Sequence, residues 1–202
     1  MKKRYGMVID LERCTGCRAC TVACKIENSM EHCTGIRVET VGGAWPDTPA
    51  GEYPELSMGF LPIACMHCER PPCRDACPTQ AIYQRPDGAV LIDESLCNDC
   101  QECLAACPYD ALVYDEDKAL VRKCTLCSAR LDQGLEPFCS KCCGYGAITF
   151  GDMGDPRSIV SKLAARSDAY ALKPESKTGP AVIYLPAKAS RGFQHGRRVS
   201  HR

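Results

Sequence analysis

Between residues 65 and 107 the chain carries two runs of four cysteines, Cys65, Cys68, Cys73, Cys77 and then Cys97, Cys100, Cys103, Cys107. Each run closes on a Cys-Pro pair, Cys77-Pro78 and Cys107-Pro108. The second run has the bacterial 4Fe–4S spacing C-x-x-C-x-x-C-x-x-x-C-P, and the first is a variant with four residues between its second and third cysteines. The chemistry of such a run is thiolate ligation of iron. Three closely spaced thiolates wrap one 4Fe–4S cube, and the fourth, a helical turn further on, goes to the neighbouring cube. Cys14, Cys17, Cys20 and Cys24 repeat the run, with Lys25 where proline might stand, and Cys124, Cys127, Cys139 and Cys143 make a fourth group. Four groups of four supply ligands for four 4Fe–4S clusters, and Cys33 and Cys142 are left over.

Other uses of cysteine fit less well. Eighteen cysteines in 202 residues is a content seen in disulfide scaffolds and in metal proteins. A disulfide scaffold calls for a secretory leader, whereas residues 1–14 offer basic residues and a short Met7-Val8-Ile9 run without an apolar core segment. Structural zinc uses separated C-x-x-C pairs rather than runs of four. It suits only the fourth group, where Cys127 and Cys139 stand far apart. Acidic and basic residues balance at 25 each, so nothing points to nucleic acid. No stretch approaches the length of a membrane span. Four Phe and one Trp make a thin aromatic core, so ligation must supply much of the folding free energy.

The elements that position these groups are short. Gly6 to Leu11 reads as a strand leading into the first group. Ala81 to Tyr83 and Ala89 to Ile92, around Pro86-Asp87-Gly88, read as a hairpin. Ala111 to Tyr114 and Ala119 to Lys123 repeat the device, and Ala147 to Phe150 adds a strand. Strand, cysteine run, strand recurs along the chain, as in tandem ferredoxin units. Residues 25–64, with Gly42-Gly43, Trp45-Pro46 and Pro49 to Pro54, read as an irregular insertion: a solvated loop or a partner contact. Asp155 as N-cap and Pro156 at the first position would start a helix over Arg157 to Ala165. Ala181 to Leu185 reads as a last strand, and residues 187–202 are basic, a solvated terminus or a docking arm.

The stretches GMVIDLERCTGCRACTVACKIEN, CMHCERPPCRDACPTQAI, CNDCQECLAACPYDA, VRKCTLCSARLDQGLEPFC and ITFGDMGDP resemble the four-cluster electron-transfer subunits of molybdopterin oxidoreductases. That class includes the polysulfide, thiosulfate, DMSO and arsenate reductases of anaerobic respiration. The resemblance implies that the first group pairs with the fourth and the second with the third, although spacing alone leaves first-with-second open. Carried over, one cube takes Cys14, Cys17, Cys20 and Cys143, and its neighbour takes Cys124, Cys127, Cys139 and Cys24. The other pair takes Cys65, Cys68, Cys73 with Cys107, and Cys97, Cys100, Cys103 with Cys77. Some relatives have a non-cysteine at the second position of the third group and hold a 3Fe–4S centre; here that position is Cys100, so a full cube is expected.

The implied fold is α+β, with two bacterial-type ferredoxin modules nested in one chain. Module A comprises residues 1–24 and 108–160, the insertion 25–64, module B 65–107, and a C-terminal extension 161–202. The implied function is a non-catalytic wire. It relays electrons between a large molybdenum- or tungsten-pterin catalytic subunit and a quinone-linked membrane subunit or a soluble redox partner. The stretch PFCSKCCGYGAITFGD departs from the pattern, with Gly144 after Cys143, and points toward small subunits of aromatic transhydroxylases or acyl-CoA oxidoreductases. A freestanding polyferredoxin-type carrier for a hydrogenase or formate dehydrogenase is the other alternative. No twin-arginine or Sec signal is read, so the expectation is a cytoplasmic protein, or a periplasmic one exported with a signal-bearing partner.

Among the remaining residues, His67 either hydrogen-bonds a cluster sulfur or packs against its loop. Arg18, Lys25, Arg74, Arg122 and Lys123 adjoin ligand cysteines, either as solvated charges or as offsets to cluster charge. His32, His195 and His201 lie near no motif. The interval of Cys139 to Cys143 matches the last interval of the other three groups, which makes Cys143 the ligand and Cys142 a bystander.

Overall fold

A computed structural model describes residues 3–30 and 35–187 of the chain. Cys33, His32, His195, His201 and the basic run beyond residue 187 lie outside them.

Strand β1 (Tyr5–Asp10) is the middle of a three-stranded sheet. It pairs antiparallel with β8 (Ile148–Asp152), Ile9 opposite Ile148, and parallel with β9 (Val182–Leu185), Ile9 opposite Tyr184. Because both faces of β1 are covered, Met7, Val8 and Ile9 are all buried and the strand reads as a continuous apolar run rather than an alternating one. The sheet thereby brings the segment before Cys14 beside the segment after Cys143.

Helix α1 (Ala19–Asn28) buries Cys20, Ala23 and Cys24, spaced three and four apart so that they share one face. It ends at Ser29, whose left-handed φ of 49° turns the chain out. The expected irregular insertion over 25–64 is corrected here. Its first residues continue α1, and β2 (Ile36–Val41) pairs with β3 (Gly59–Ala64) in a regular antiparallel ladder from Ile36–Ala64 to Val41–Gly59. Pro62 inside β3 weakens the strand signal in sequence. In the fold its carbonyl accepts the Tyr184 hydroxyl at 2.8 Å.

Two hairpins follow as expected, β4 (Ile82–Gln84) with β5 (Val90–Ile92), and β6 (Leu112–Asp115) with β7 (Leu120–Lys123). Between and around them lie one-turn helices, α2 (Pro72–Asp75), α3 (Glu102–Ala106), α4 (Ser128–Asp132) and α5 (Phe138–Lys141). The helix expected from Asp155-Pro156 starts later, as α6 (Ile159–Ala164). Its cap is Ser158, whose hydroxyl accepts the Ser161 N–H, whereas Asp155 is spent on a turn with the Arg157 N–H. The last strand expected at Ala181 to Leu185 is present as β9, an edge of the β1 sheet.

The result is a small mixed helix-and-strand fold. Its main core threads cysteine side chains among Met7, Ile9, Met30, Met66, Tyr109 and Tyr184. No helix of the described residues is long and apolar enough to cross a membrane.

Candidate iron–sulfur centres

The ligand loops are built from backbone that most residues avoid. Gly16 (φ 71°), Arg18 (φ 58°), His67 (φ 41°), Asp99 (φ 58°), Gln101 (φ 60°), Leu126 (φ 56°) and Cys127 (φ 50°) all take the left-handed conformation. A single left-handed residue reverses the local curl of the chain, so successive thiols of a C-x-x-C loop face the same side. Such strain clusters at sites where the fold over-determines the backbone.

The thiols converge in four sets. Cys65, Cys68, Cys73 and Cys107 line one hollow, walled by Val90, Tyr109 and Leu112. Cys77, Cys97, Cys100 and Cys103 line another, with Ile82 and Val121 in its wall. In the other half, Cys20 is flanked by Cys14 and Cys143, and burial followed by these neighbours pushes its thiol up to about 11. Burial first pushes both Cys139 and Cys124 up; Cys24 lies beside both, Cys127 adds to the shift of Cys139, and Cys139 adds to that of Cys124. The sets also neighbour one another in series: Cys20 lies near Cys139, Cys124 near Cys65, and Cys73 shares a core cluster with Cys103. Among the described residues the exposed thiols are Cys17 and Cys100, one in each end set, whose Cys20 and Cys103 are nonetheless buried, as are Cys24, Cys65, Cys68, Cys73, Cys124, Cys127 and Cys139.

Each set fits a 4Fe–4S cube in donor chemistry, four soft sulfurs around an apolar hollow. Among the described residues no three His, Cys, Asp or Glu side chains converge on a single-ion site. Backbone donors reach the sulfurs as well: the Leu126 N–H meets Cys124 Sγ at 3.3 Å, and the Ala147 N–H meets Cys143 Sγ at 3.2 Å. The backbone N–H of Cys142 caps α5 on the Phe138 carbonyl.

Several supporting residues had weak or no sequence signal. Asn28 sits one turn beyond Cys24 on α1, and its Nδ2 reaches Cys24 Sγ at 3.7 Å and Cys127 Sγ at 4.0 Å. Its Oδ1 accepts the Thr125 hydroxyl at 2.8 Å, which fixes the amide with its donors toward sulfur. The i, i+4 spacing from Cys24 was the signal that could have found it. Thr178 is buried against the Tyr109 hydroxyl at 2.7 Å and reaches Cys68; 110 residues of sequence separate it from that ligand, so no local pattern could reveal it.

Of the five cations singled out in sequence, three reach carboxylates and a fourth lies on α1. Arg18 pairs with Asp47 at 2.7 Å and Arg74 with Asp75 at 2.9 Å, Arg122 reaches Asp115 at 3.4 Å, and Lys25 is half-buried in α1. Lys123 is buried. His67 is buried too, at 1% exposure; its Nδ1 accepts the Val90 N–H at 3.0 Å, and its Nε2 has no partner among the described residues.

Comparison with known proteins agrees with this chemistry. Residues 5–26 match the 4Fe–4S binding domain, and residues 56–153 match the 4Fe–4S dicluster domain. An iron–sulfur B subunit assigned to dimethyl sulfoxide reductase in Halobacterium salinarum is 42% identical over 212 residues, covering 93% of this chain and 81% of that one. The B subunit of tetrathionate reductase from Salmonella typhimurium is 42% identical over 186 residues, covering 91% of this chain and 73% of that one. Its counterpart in polysulfide reductase from Wolinella succinogenes is 37% identical over 191 residues, covering 93% of this chain and 97% of that one. With 4Fe–4S donor sets in the fold and likeness of this degree along nearly the whole length, the chain is a member of the family of iron–sulfur B subunits of the dimethyl sulfoxide, tetrathionate and polysulfide reductases.

Proposed function

We propose that the chain relays electrons through four clusters in a row, between a large molybdopterin catalytic subunit and a second redox partner, membrane-bound or soluble. The ligand sets of this reading are Cys14, Cys17, Cys20, Cys143; then Cys24, Cys124, Cys127, Cys139; then Cys65, Cys68, Cys73, Cys107; then Cys77, Cys97, Cys100, Cys103. The nested arrangement of two ferredoxin modules follows from these sets, since each module then exchanges its fourth cysteines internally. The single observation that carries the proposal is the serial proximity of the four thiol sets, with exposed Cys17 in the first set and exposed Cys100 in the last.

A bound 4Fe–4S cluster takes up and returns one electron at a time, at a potential set by charge, hydrogen bonds and solvent exposure. The chain's part is to exclude water from the two inner sets, where Cys24, Cys65, Cys68, Cys124 and Cys139 are buried. The amide of Asn28 and the N–H groups of Leu126 and Ala147 point positive hydrogens at sulfur, which favours the more negative state. The exposed Cys17 and Cys100 give the two end sets one surface for entry and one for exit.

The test is anaerobic purification of the native assembly, followed by iron analysis and a potentiometric titration read by electron paramagnetic resonance. A pterin-bearing large subunit, about sixteen iron per chain and four one-electron couples are expected. A chain that purifies alone and fully active as a soluble carrier would overturn the reading.

A further inference from the structure

The seam between the two inner thiol sets holds a cation with no counter-charge of its own. Lys123, the last residue of β7, is 4% exposed, and among the described residues its ammonium pairs with no carboxylate. Its Nζ donates to the Val90 carbonyl and, at 3.0 Å, to the Cys124 carbonyl. Val90 lines the cavity of Cys65, Cys68, Cys73 and Cys107, and the ammonium lies within electrostatic reach of the Cys73 thiol. Cys124 belongs to the other inner set, beside Cys24 and Cys139. One side chain therefore ties together the walls of both.

The neighbours do not neutralise it. His67 accepts the Val90 N–H through Nδ1, so its proton is on Nε2 and the ring is a neutral donor. His67 and Lys123 thus clamp the N–H and the carbonyl of the same residue. Arg122 turns the other way, to Asp115 and the carbonyls of Asn28 and Ser29. Two carbonyls satisfy hydrogen bonds but not charge, and a buried lone cation is strongly disfavoured unless an anion compensates it. The anions this seam receives are the thiolate-ligated clusters themselves.

We propose that Lys123 is the shared counter-charge of the two inner clusters and raises the reduction potential of both. The inference rests on the four-cluster reading above. Adding one electron to either cluster adds one unit of negative charge and takes up no proton, so a fixed ammonium in a dry seam favours the reduced form. Lys123 acts through the clusters' field rather than as a ligand.

The experiment compares wild type, Lys123→Met, Lys123→Gln and Lys123→Arg in the native assembly, by iron content and potentiometric titration. Wild type lacking about sixteen iron or four couples would sink the four-cluster reading itself, before any variant is compared. Given that baseline, the neutral variants should lose at least about tenfold in the reduction equilibrium of two couples only, about 59 mV downward for one electron. The Arg variant should stay near wild type. Loss of the inner clusters in both neutral variants, with retention in Lys123→Arg, equally supports a charge requirement. Unchanged potentials at full iron in Lys123→Met, shifts confined to the outer couples, or an Arg variant as altered as the Met variant would each overturn the proposal.

Discussion

At the scale of single residues, the adjacent pair Cys142 and Cys143 decides the register of the fourth group. Cys143 lies near Cys14 and Cys20, and its sulfur accepts the Ala147 N–H at 3.2 Å. Cys143→Ser should lose or convert one cluster by electron paramagnetic resonance and iron content, and Cys142→Ser should keep all four. The opposite pattern would mean that the chain is re-registered at this point. The thiols also carry a pH dependence. Burial, as the largest cause, pushes Cys20, Cys68 and Cys103 up to about 11 and Cys73 to about 12, so at neutral pH each holds its proton in the metal-free fold. Ligation needs thiolates and releases those protons, so cluster loading must strengthen as pH rises toward the raised values and weaken as it falls. Chelator competition at about pH 6.5 and about pH 8.5 should show tighter iron retention at the higher value. Equal retention would contradict the buried-thiol account.

At the scale of elements, the hairpin of β2 and β3 approaches the second thiol set at Gly35. A Cβ there would stand 2.8 Å from Cys124 Cα and 3.1 Å from Cys24 Sγ. Neither neighbour is the free end of a flexible chain. Gly35→Ala should therefore push the ligand loop away, and iron should drop by about four per chain, one cube's worth. A variant with full iron would show that the loop can retreat. Helix α6 offers a milder case. Ser158 accepts the Ser161 N–H at 3.1 Å and donates to the Asp152 carbonyl at 2.6 Å. Ser158→Ala should cost about 1 kcal/mol of local stability, seen as roughly fivefold faster amide exchange in α6 with the clusters untouched. The β2–β3 ladder was obscured in sequence by Pro62 and by the Gly- and Pro-rich connection over 42–58. Pairing partners that lie beyond such a connection leave no local signature.

At the scale of the whole molecule, the C-terminal segment is a strap over the third thiol set. The Glu69 and Arg70 N–H groups donate to Gly179 and Thr178 at 2.8 and 3.0 Å, and the Ala181 N–H donates to Met66 at 2.8 Å. Thr178 closes on Tyr109 beside Cys68. Because β9 also completes the sheet around β1, a chain ending at Ala165 loses both supports at once. It should purify with fewer clusters and an absorption spectrum diminished in its iron–sulfur band. Full occupancy in that truncation would make the strap dispensable.

Local spacing was enough to set the chemistry. A C-x-x-C-x-x-C loop is a local object whose thiols are brought together by a few left-handed residues, so its cofactor is readable from the order of residues. The hairpins at residues 82–92 and 112–123 were readable for the same reason, since their partners are joined by short turns. Tertiary structure decided what each fourth cysteine faces, because Cys14 and Cys143 meet only after β1 and β8 pair. It also decided which cation matters. Arg18, Arg74 and Lys123 look alike beside their cysteines in the sequence, yet burial leaves Lys123 alone in the seam while Arg18 and Arg74 find carboxylates at the surface. Charge placement depends on what the rest of the fold excludes from water, and that is a property of the packed molecule rather than of neighbouring residues.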